Sequence, residues 1–304
     1  MSARTASAPR PEAQFESLGQ PIRGPRALDE SWRRFWQLAY HIARSEFKLK
    51  FFGSALGYLW QVMRPLLLFG VLYVFFVEIV HVDKAPGAAG RFYGAQLLGS
   101  IVLFTFFSEA TGGSVRSVVD RESLVRKIQF PRLAIPASIV MLAAFNLVLN
   151  LVVVLVFAAV EGVRPTVSWL QLPLILGMLA LASAGVAMLL SALFVRFRDI
   201  SPIWEVVSQI LFYSAPVILP AEAVRRELAH GGLDQFLYHV YTLNPLVTIF
   251  QQFRHAMING ETYSAGQVMG SWAALAEPIA LVCILFALGF WVFNREAPHI
   301  AEDL

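Results

Sequence analysis

Charge is what this sequence has least of. Only 15% of its 304 residues are Asp, Glu, Lys or Arg, and 57% are hydrophobic. Ordinary soluble proteins carry about a quarter charged residues, and a soluble domain of this length would need them to cover its surface. Cysteine is nearly missing. Cys283 stands alone, which excludes an internal disulfide and a cysteine-rich metal site, and a small packing role in the interior is expected of it. No G-x-x-x-x-G-K-[ST] phosphate loop occurs, so the chain does not bind and split ATP in the usual way by itself. H-E-x-x-H and G-x-S-x-G are absent too. His41, His81, His230, His239, His255 and His299 are scattered, without Cys, Asp or Glu at metal-ligand spacing. No catalytic, cofactor-binding or metal-binding residue is therefore expected. The net charge of +3 is small, and the basic residues sit in loops between apolar runs. A nucleic-acid partner would want them on one polar surface, so none is expected.

What is present is long apolar sequence. Mean hydropathy is +0.60. Leu133 to Val160 has no charged side chain, nor has Pro165 to Val195, and each exceeds the roughly 20 residues that cross a bilayer as a helix. The fold class is an all-α polytopic membrane protein with six transmembrane helices. The spans are expected at Leu56 to Val80, Phe92 to Thr111, Leu133 to Val160, Val167 to Val195, Ser201 to Leu219 and Ser271 to Phe293.

Before them, residues 1–28 are rich in Pro, Ser, Ala and Arg and have no apolar h-region. They read as a disordered cytoplasmic tail. Residues 29–51 set Trp32, Phe35, Trp36, Ala39, Ile42, Ala43 and Phe47 at helical spacing, opposite Arg33, Arg34, Gln37, His41, Arg44 and Lys48. Asp29 or Ser31 is placed to cap its start. This is the pattern of an amphipathic helix lying in the membrane interface. The six-span domain covers 52–295, and 296–304 is a second cytoplasmic tail. With the N-terminus inside, 17 of the 24 Lys and Arg fall on the inner side, which places both termini in the cytoplasm.

Two segments stand apart. Residues 112–134 form a basic loop between spans two and three. On charge alone it is a topogenic loop. Residues 220–260 are too polar for a span and too apolar for a free loop, and Gly231-Gly232 and Asn244-Pro245 divide them. Two or three short re-entrant helices are expected there, between spans five and six. Backbone at that depth must be covered by protein or line a cavity, which points to an outer gate with Tyr241, Asn244, Pro245 and Phe250 as its candidates. Glu78, Glu109, Glu205 and Glu277 fall near span ends, where headgroups would solvate them. Asn146 and Asn150 would bond a neighbouring helix. Ser183, Ala187 and Ser191 make a small-residue packing stripe. No internal repeat is evident, which disfavours an inverted-repeat carrier.

Taken in order, the interfacial helix, "LGYLWQVMRPLLLF", "LVRKIQFPRLAIP", "FRDI" and "NPLVTIFQQFR" resemble the permease subunit of ABC-2 type exporters. The nearest resemblance is to those that export lipid-linked O-antigen, capsule, teichoic acid or galactan. It covers about residues 30 to 295. It implies a homodimer in the bacterial cytoplasmic membrane, driven by two copies of a P-loop ATPase that holds the ATP and Mg, with no cofactor in this chain. Its cargo would be a lipid-linked polysaccharide, in contact with membrane lipid. By position it implies a coupling helix in 112–134. Leu124, Val125, Ile128 and Phe130 would fill a groove on the ATPase, and Arg126, Lys127 and Arg132 would pair with its acids or with lipid phosphate. Pro131 would end that helix. Arg196, Arg198 and Asp199 match the second inner loop. Tyr58, Trp60, Phe69, Tyr73 and Phe76 of the first span, with Trp204, Phe212 and Tyr213 of the fifth, would line the conduit. A small-molecule or drug exporter of the same family is the alternative. A membrane glycosyl- or acyltransferase would need a convergent acid or histidine site at the membrane face, and the sequence has none.

Overall fold

A computed structural model describes residues 32–51, 57–82, 88–122, 131–227, 232–258, 262–271 and 273–297. The tails 1–28 and 298–304, and the residues Asp29 and Ser31 expected to cap the first helix, lie outside them. The α-helices are α1 (Trp32–Phe51), α2 (Gly57–Val74), α3 (Ala88–Arg91), α4 (Tyr93–Val115), α5 (Ala134–Val160), α6 (Leu172–Arg196), α7 (Ile200–Ser214), α8 (Ala221–Glu227), α9 (Gly232–Leu243), α10 (Pro245–Met257), α11 (Ala265–Val268) and α12 (Ala276–Glu296). There are no strands among the described residues. A π-helical turn, Phe75–Ile79, extends α2.

Among the described residues, five helices are long and apolar enough to cross a membrane: Leu59–Ile79, Tyr93–Val115, Ala134–Val160, Val167–Arg196 and Ala273–Glu296. The chain is an integral membrane protein. The least apolar of the five, α4, is also the most enclosed, with 72% of its window buried against 11% for α2 and 17% for the last span. A helix wrapped in protein can carry Ser and Thr, because each hydroxyl closes on its own backbone. Ser100 donates to the Gln96 carbonyl at 2.8 Å, Thr111 to Phe107 at 2.7 Å and Ser114 to Ala110 at 2.7 Å. This self-satisfaction carries α4 past the Thr111 boundary expected from sequence.

The expected fifth span is the departure. Ser201 to Leu219 is helical only as α7, 15 residues, or about 22 Å at 1.5 Å per residue against a ~30 Å hydrocarbon core. Pro216 is the reason. It disfavours helical geometry in the residue before it, and Ala215 is extended at ψ 156. The segment nevertheless runs the length of α4. At one end the Arg116 Nε donates to the Ser201 Oγ at 3.3 Å, and at the other the Tyr93 hydroxyl donates to the Ile218 carbonyl at 3.2 Å.

Packing between α6 and α12 depends on two glycines. A methyl at Gly185 would come within 2.7 Å of the Phe286 backbone, and one at Gly289 would strike the Gly185 carbonyl. Ser183, Ala187 and Ser191 are buried along the same helix, as the small-residue stripe predicted. Cys283 does not share their burial. It is exposed on α12, which corrects the packing role expected of it: α12 shows most of its surface outward. Helix α1 lays Phe35 and Ala39 against Ile135, Phe293 and Ala297. Tyr40 and Phe47 meet Phe145 edge-on at 6.1 and 5.9 Å, and Trp32 and Trp36 stay exposed.

The far end is closed by α8 to α11. Asn244 caps α10, its side chain accepting from the Leu246 N–H at 3.0 Å, with Pro245 in the first turn. Among the described residues of 220–258 there are three helices, and the Asn244-Pro245 step divides the last two where the sequence placed a break; Gly231 lies outside the described residues. One buried cation holds this cap to the bundle. Arg254 of α10 is 0% exposed. Its Nε donates to the Ser100 Oγ at 3.0 Å and its Nη2 to the Val217 carbonyl at 2.8 Å.

Two outcomes are expected. Gly289→Leu should lower the thermal unfolding midpoint in detergent, through a loss of ~1–3 kcal/mol to overpacking, while Gly70→Leu, with nothing within 4 Å of an added Cβ, leaves it unchanged. Equal midpoints would remove the glycine crossing as a structural requirement. Arg254→Met should raise amide hydrogen exchange across 221–258 by at least tenfold and spare α4 and α6; uniform protection would show that the cap holds without it.

Candidate functional site

The near end gathers the C-termini of α4, α6 and α12 with the N-terminus of α5. Helix α4 gives way after Arg116 to turns through Glu122, bonded from Asp120 N to Arg116 O at 2.9 Å and from Glu122 N to Val119 O at 3.0 Å. Val118 is fully buried there. Leu124, Val125, Arg126, Lys127, Ile128 and Phe130 lie outside the described residues, but both flanks of their segment are tied down. Arg121 pairs with Glu46 of α1. Arg132 is 3% exposed and donates to the Ala297 carbonyl at the C-terminus of α12.

Arg132 therefore corrects an expectation. It does not face outward toward acids or lipid phosphate. The partial negative charge of a helix C-terminus, closed off from water, holds it inward, and Pro131 is buried beside it. Arg196 is exposed and pairs with Glu296 at 3.7 Å. Arg198 is exposed with its guanidinium 5.5 Å from the Phe194 ring, and Asp199 is exposed at the start of α7. These three are accessible at this end, as are Arg116, Asp120 and Phe197.

The conduit candidates divide by burial. Trp60 is 49% exposed and Tyr213 67%, so both present aromatic surface beyond this chain. Phe69 does not. It is 8% exposed and packs on Tyr73 and Phe157 at 5.2 and 5.1 Å, so it belongs to the core rather than to a lining. Phe76 meets Tyr93 at 6.5 Å, Trp204 meets Phe107 at 6.2 Å and Phe212 meets Phe104 at 5.0 Å. These are half-buried contacts that hold α2 and α7 against α4. The Tyr58 side chain lies outside the described residues.

A polar network that the sequence reading missed ties α2, α4 and α5 together. Both Glu109 oxygens accept hydrogen bonds, Oε1 from Gln61 Nε2 at 2.7 Å and Oε2 from Asn146 Nδ2 at 2.7 Å. Lys50 of α1 donates to the Gln61 Oε1 at 3.2 Å. Glu109 is thus solvated by protein amides, not by headgroups, because α4 continues past it and α2 and α5 cover it. Asn146 performs the helix-bonding role expected of it. Glu78, Glu205 and Glu277 are exposed, in keeping with positions at span ends.

At the far end, Phe250 is fully buried and Tyr241 stacks on Tyr238 at 6.3 Å. The charge near Arg254 is Glu222, itself buried, with Oε1 accepting from the Tyr263 N–H at 3.1 Å. Burial pushes the Tyr241 hydroxyl well above its ordinary range, so it stays protonated. Glu161 sits where α5 ends, and its Oε2 accepts from the Ala95 N–H in the first turn of α4 at 3.0 Å. Burial pushes this carboxyl up, opposed by that N–H. Arg254 had a readable signal. It falls one turn after Phe250 on the stripe that includes Val247 and Met257, a core position by period. Among the described residues, no three of His, Cys, Asp and Glu come together as metal ligands would.

This arrangement has relatives. The family described as ABC-2 type transporter matches residues 37–258. An O-antigen export system permease protein RfbA of Klebsiella pneumoniae is 27% identical over 264 residues, 86% of this chain and 93% of that protein. Another of the same description from Myxococcus xanthus is 25% identical over 267 residues, 88% of this chain and 95% of that protein. The chain belongs to the ABC-2 type transporter family, as a membrane-embedded transport subunit rather than an enzyme.

Proposed function

We propose that this chain is the transmembrane half of an ATP-driven exporter that carries a lipid-linked cell-surface polysaccharide across the bacterial cytoplasmic membrane. The observation that carries the reading is the similarity to O-antigen export permeases over 86% and 88% of this chain and 93% and 95% of theirs. Two copies would form the path and two ATPase chains, holding ATP and Mg, would drive it. Both termini would be cytoplasmic, with α7 and the turn to Ile218 completing a sixth crossing.

Three features of the fold support parts of this reading. A docking segment transmits force only if its ends are rigid, and residues 122 and 131 are flanked by the Arg121–Glu46 pair and the buried Arg132. Helices α2 and α7 leave Val71, Val74, Ile203 and Ile210 exposed, an apolar face for a second copy. Trp60 and Tyr213 bring aromatic surface suited to the flat faces of sugar rings.

Depletion of the chain in its host should cause a polysaccharide to accumulate inside the cell while its surface counterpart disappears. Accumulation of a small molecule instead would move the cargo to the alternative class. Native mass spectrometry from host membrane should show two copies with two ATPase chains. Within that complex, Arg126→Glu or Phe130→Ala should reduce ATP turnover several-fold without loss of insertion; unchanged turnover would remove these residues from the docking surface. Trp60→Ala and Tyr213→Ala should lower transport with little change in unfolding midpoint, whereas Phe69→Ala should cost about 3–5 kcal/mol of stability as a core truncation. Equal stability losses at all three would count against a lining role for the first two.

A further inference from the structure

A cavity of about 410 Å³ opens between the start of α6, the middle of α10 and the start of α12. Its apolar wall is Leu174, Ile175 and Met178 from α6, Ile249 from α10, and Leu275 and Ile279 leading into α12. Leu174 is 70% exposed and Ile279 42%, so the mouth opens sideways, on the outer wall of two spans. Gln171 stands where α6 begins, and Met178 lies about two helical turns deeper. Polar groups therefore rim one end and apolar groups line the depth, the same order as headgroup and tail in the surrounding leaflet.

Part of the rim is already paired. Gln252 donates to the Gln171 Oε1 at 2.8 Å and accepts from the Ala265 N–H at 3.1 Å. The His255 Nδ1 is 2.6 Å from the Thr262 carbonyl. Water does not suit the space. At ~30 Å³ each, on the order of a dozen waters would fill it, each needing two to four polar partners, and only Gln171, Thr248, Gln252 and His255 of the eleven lining residues are polar. The remaining occupant at that depth is hydrocarbon, and the cavity is continuous with the lipid-facing surface of the spans.

We propose that this cavity is a binding site for one acyl chain of a membrane phospholipid, seated at the junction of the span wall and the far-end cap. Its side chains would hold the tail and leave the headgroup outside. No Asp, Glu, Lys or Arg lines the cavity, so retention should depend little on headgroup charge. The proposal does not rest on the nature of the cargo.

The test titrates the intact delipidated protein, in its native oligomer, with 1-palmitoyl-2-oleoyl phosphatidylethanolamine and, separately, phosphatidylglycerol, and counts bound lipid by native mass spectrometry. One tightly held lipid per chain is expected, with similar affinity for both headgroups. Met178→Trp fills the cavity from its floor and should weaken that binding at least tenfold. Ile279→Trp closes the mouth from a half-exposed position that tolerates bulk, and should do the same even where the floor variant fails to fold. Val152→Trp, on the exposed face of α5, should leave it unchanged. Wild-type affinity in folded Ile279→Trp would overturn the site. A strong preference for one headgroup would overturn the tail-only mode. Dissociation of the oligomer by Ile279→Trp, with lipid count unchanged, would assign the cavity to a second copy of the chain instead.

Discussion

A polar group carried to membrane depth needs a partner from protein, because hydrocarbon offers none. That constraint sets the architecture. The hydroxyls of α4 close on their own backbone, so a helix with Ser and Thr can be the centre of the bundle. Glu109 gathers two amides from two other helices. Arg254 takes a hydroxyl and a carbonyl from two further elements. A lone charge in that setting costs several kcal/mol, so each of these groups is a constraint on where its neighbours sit. The polar contacts fix register, and the apolar packing fills in around them.

Much of this was legible from the residues. Uninterrupted apolar runs gave the third and fourth spans nearly to the residue, because no competing signal falls inside them. The Asn-Pro step marked a helix break of the far-end cap through local chemistry alone: a capping amide and a proline in the first turn. The small-residue stripe on α6 was likewise visible, although the two glycines that bring backbones into contact needed the partner helix to be known.

What the sequence hid is long-range. Glu109 reads as a charge near a helix end until α2 and α5 are placed over it. Arg132 reads as a basic loop residue until the C-terminus of α12 arrives beside it, from 165 positions away in the chain. Phe69 and Tyr213 are both aromatic residues in apolar segments, yet one is core and the other is surface, and only tertiary contact distinguishes them. The short α7 was hidden for another reason. Composition measures how apolar a segment is, whereas a single proline decides how long it stays helical.

The structure also separates what is fastened from what is not. Helices α4 and α6 are enclosed, and the far-end cap is bolted to α4 through Arg254. Helices α2 and α7 show most of their surface outward and touch the core through aromatic rings and through two polar contacts, Gln61 with Glu109 and Ser201 with Arg116. They are also the elements with irregular backbone. Pro65 removes a hydrogen bond within α2, a π-helical turn ends it, and Pro216 stops α7. Motion applied at the near end through α1 and the turns at Arg121 would meet a rigid centre and two peripheral helices already weakened along their length. Displacement of α2 and α7 against α4 would slide ring contacts, and it would also have to break the Gln61–Glu109 and Arg116–Ser201 hydrogen bonds, so these two polar contacts set the resistance, while the glycine crossing of α6 and α12 holds the opposite side still.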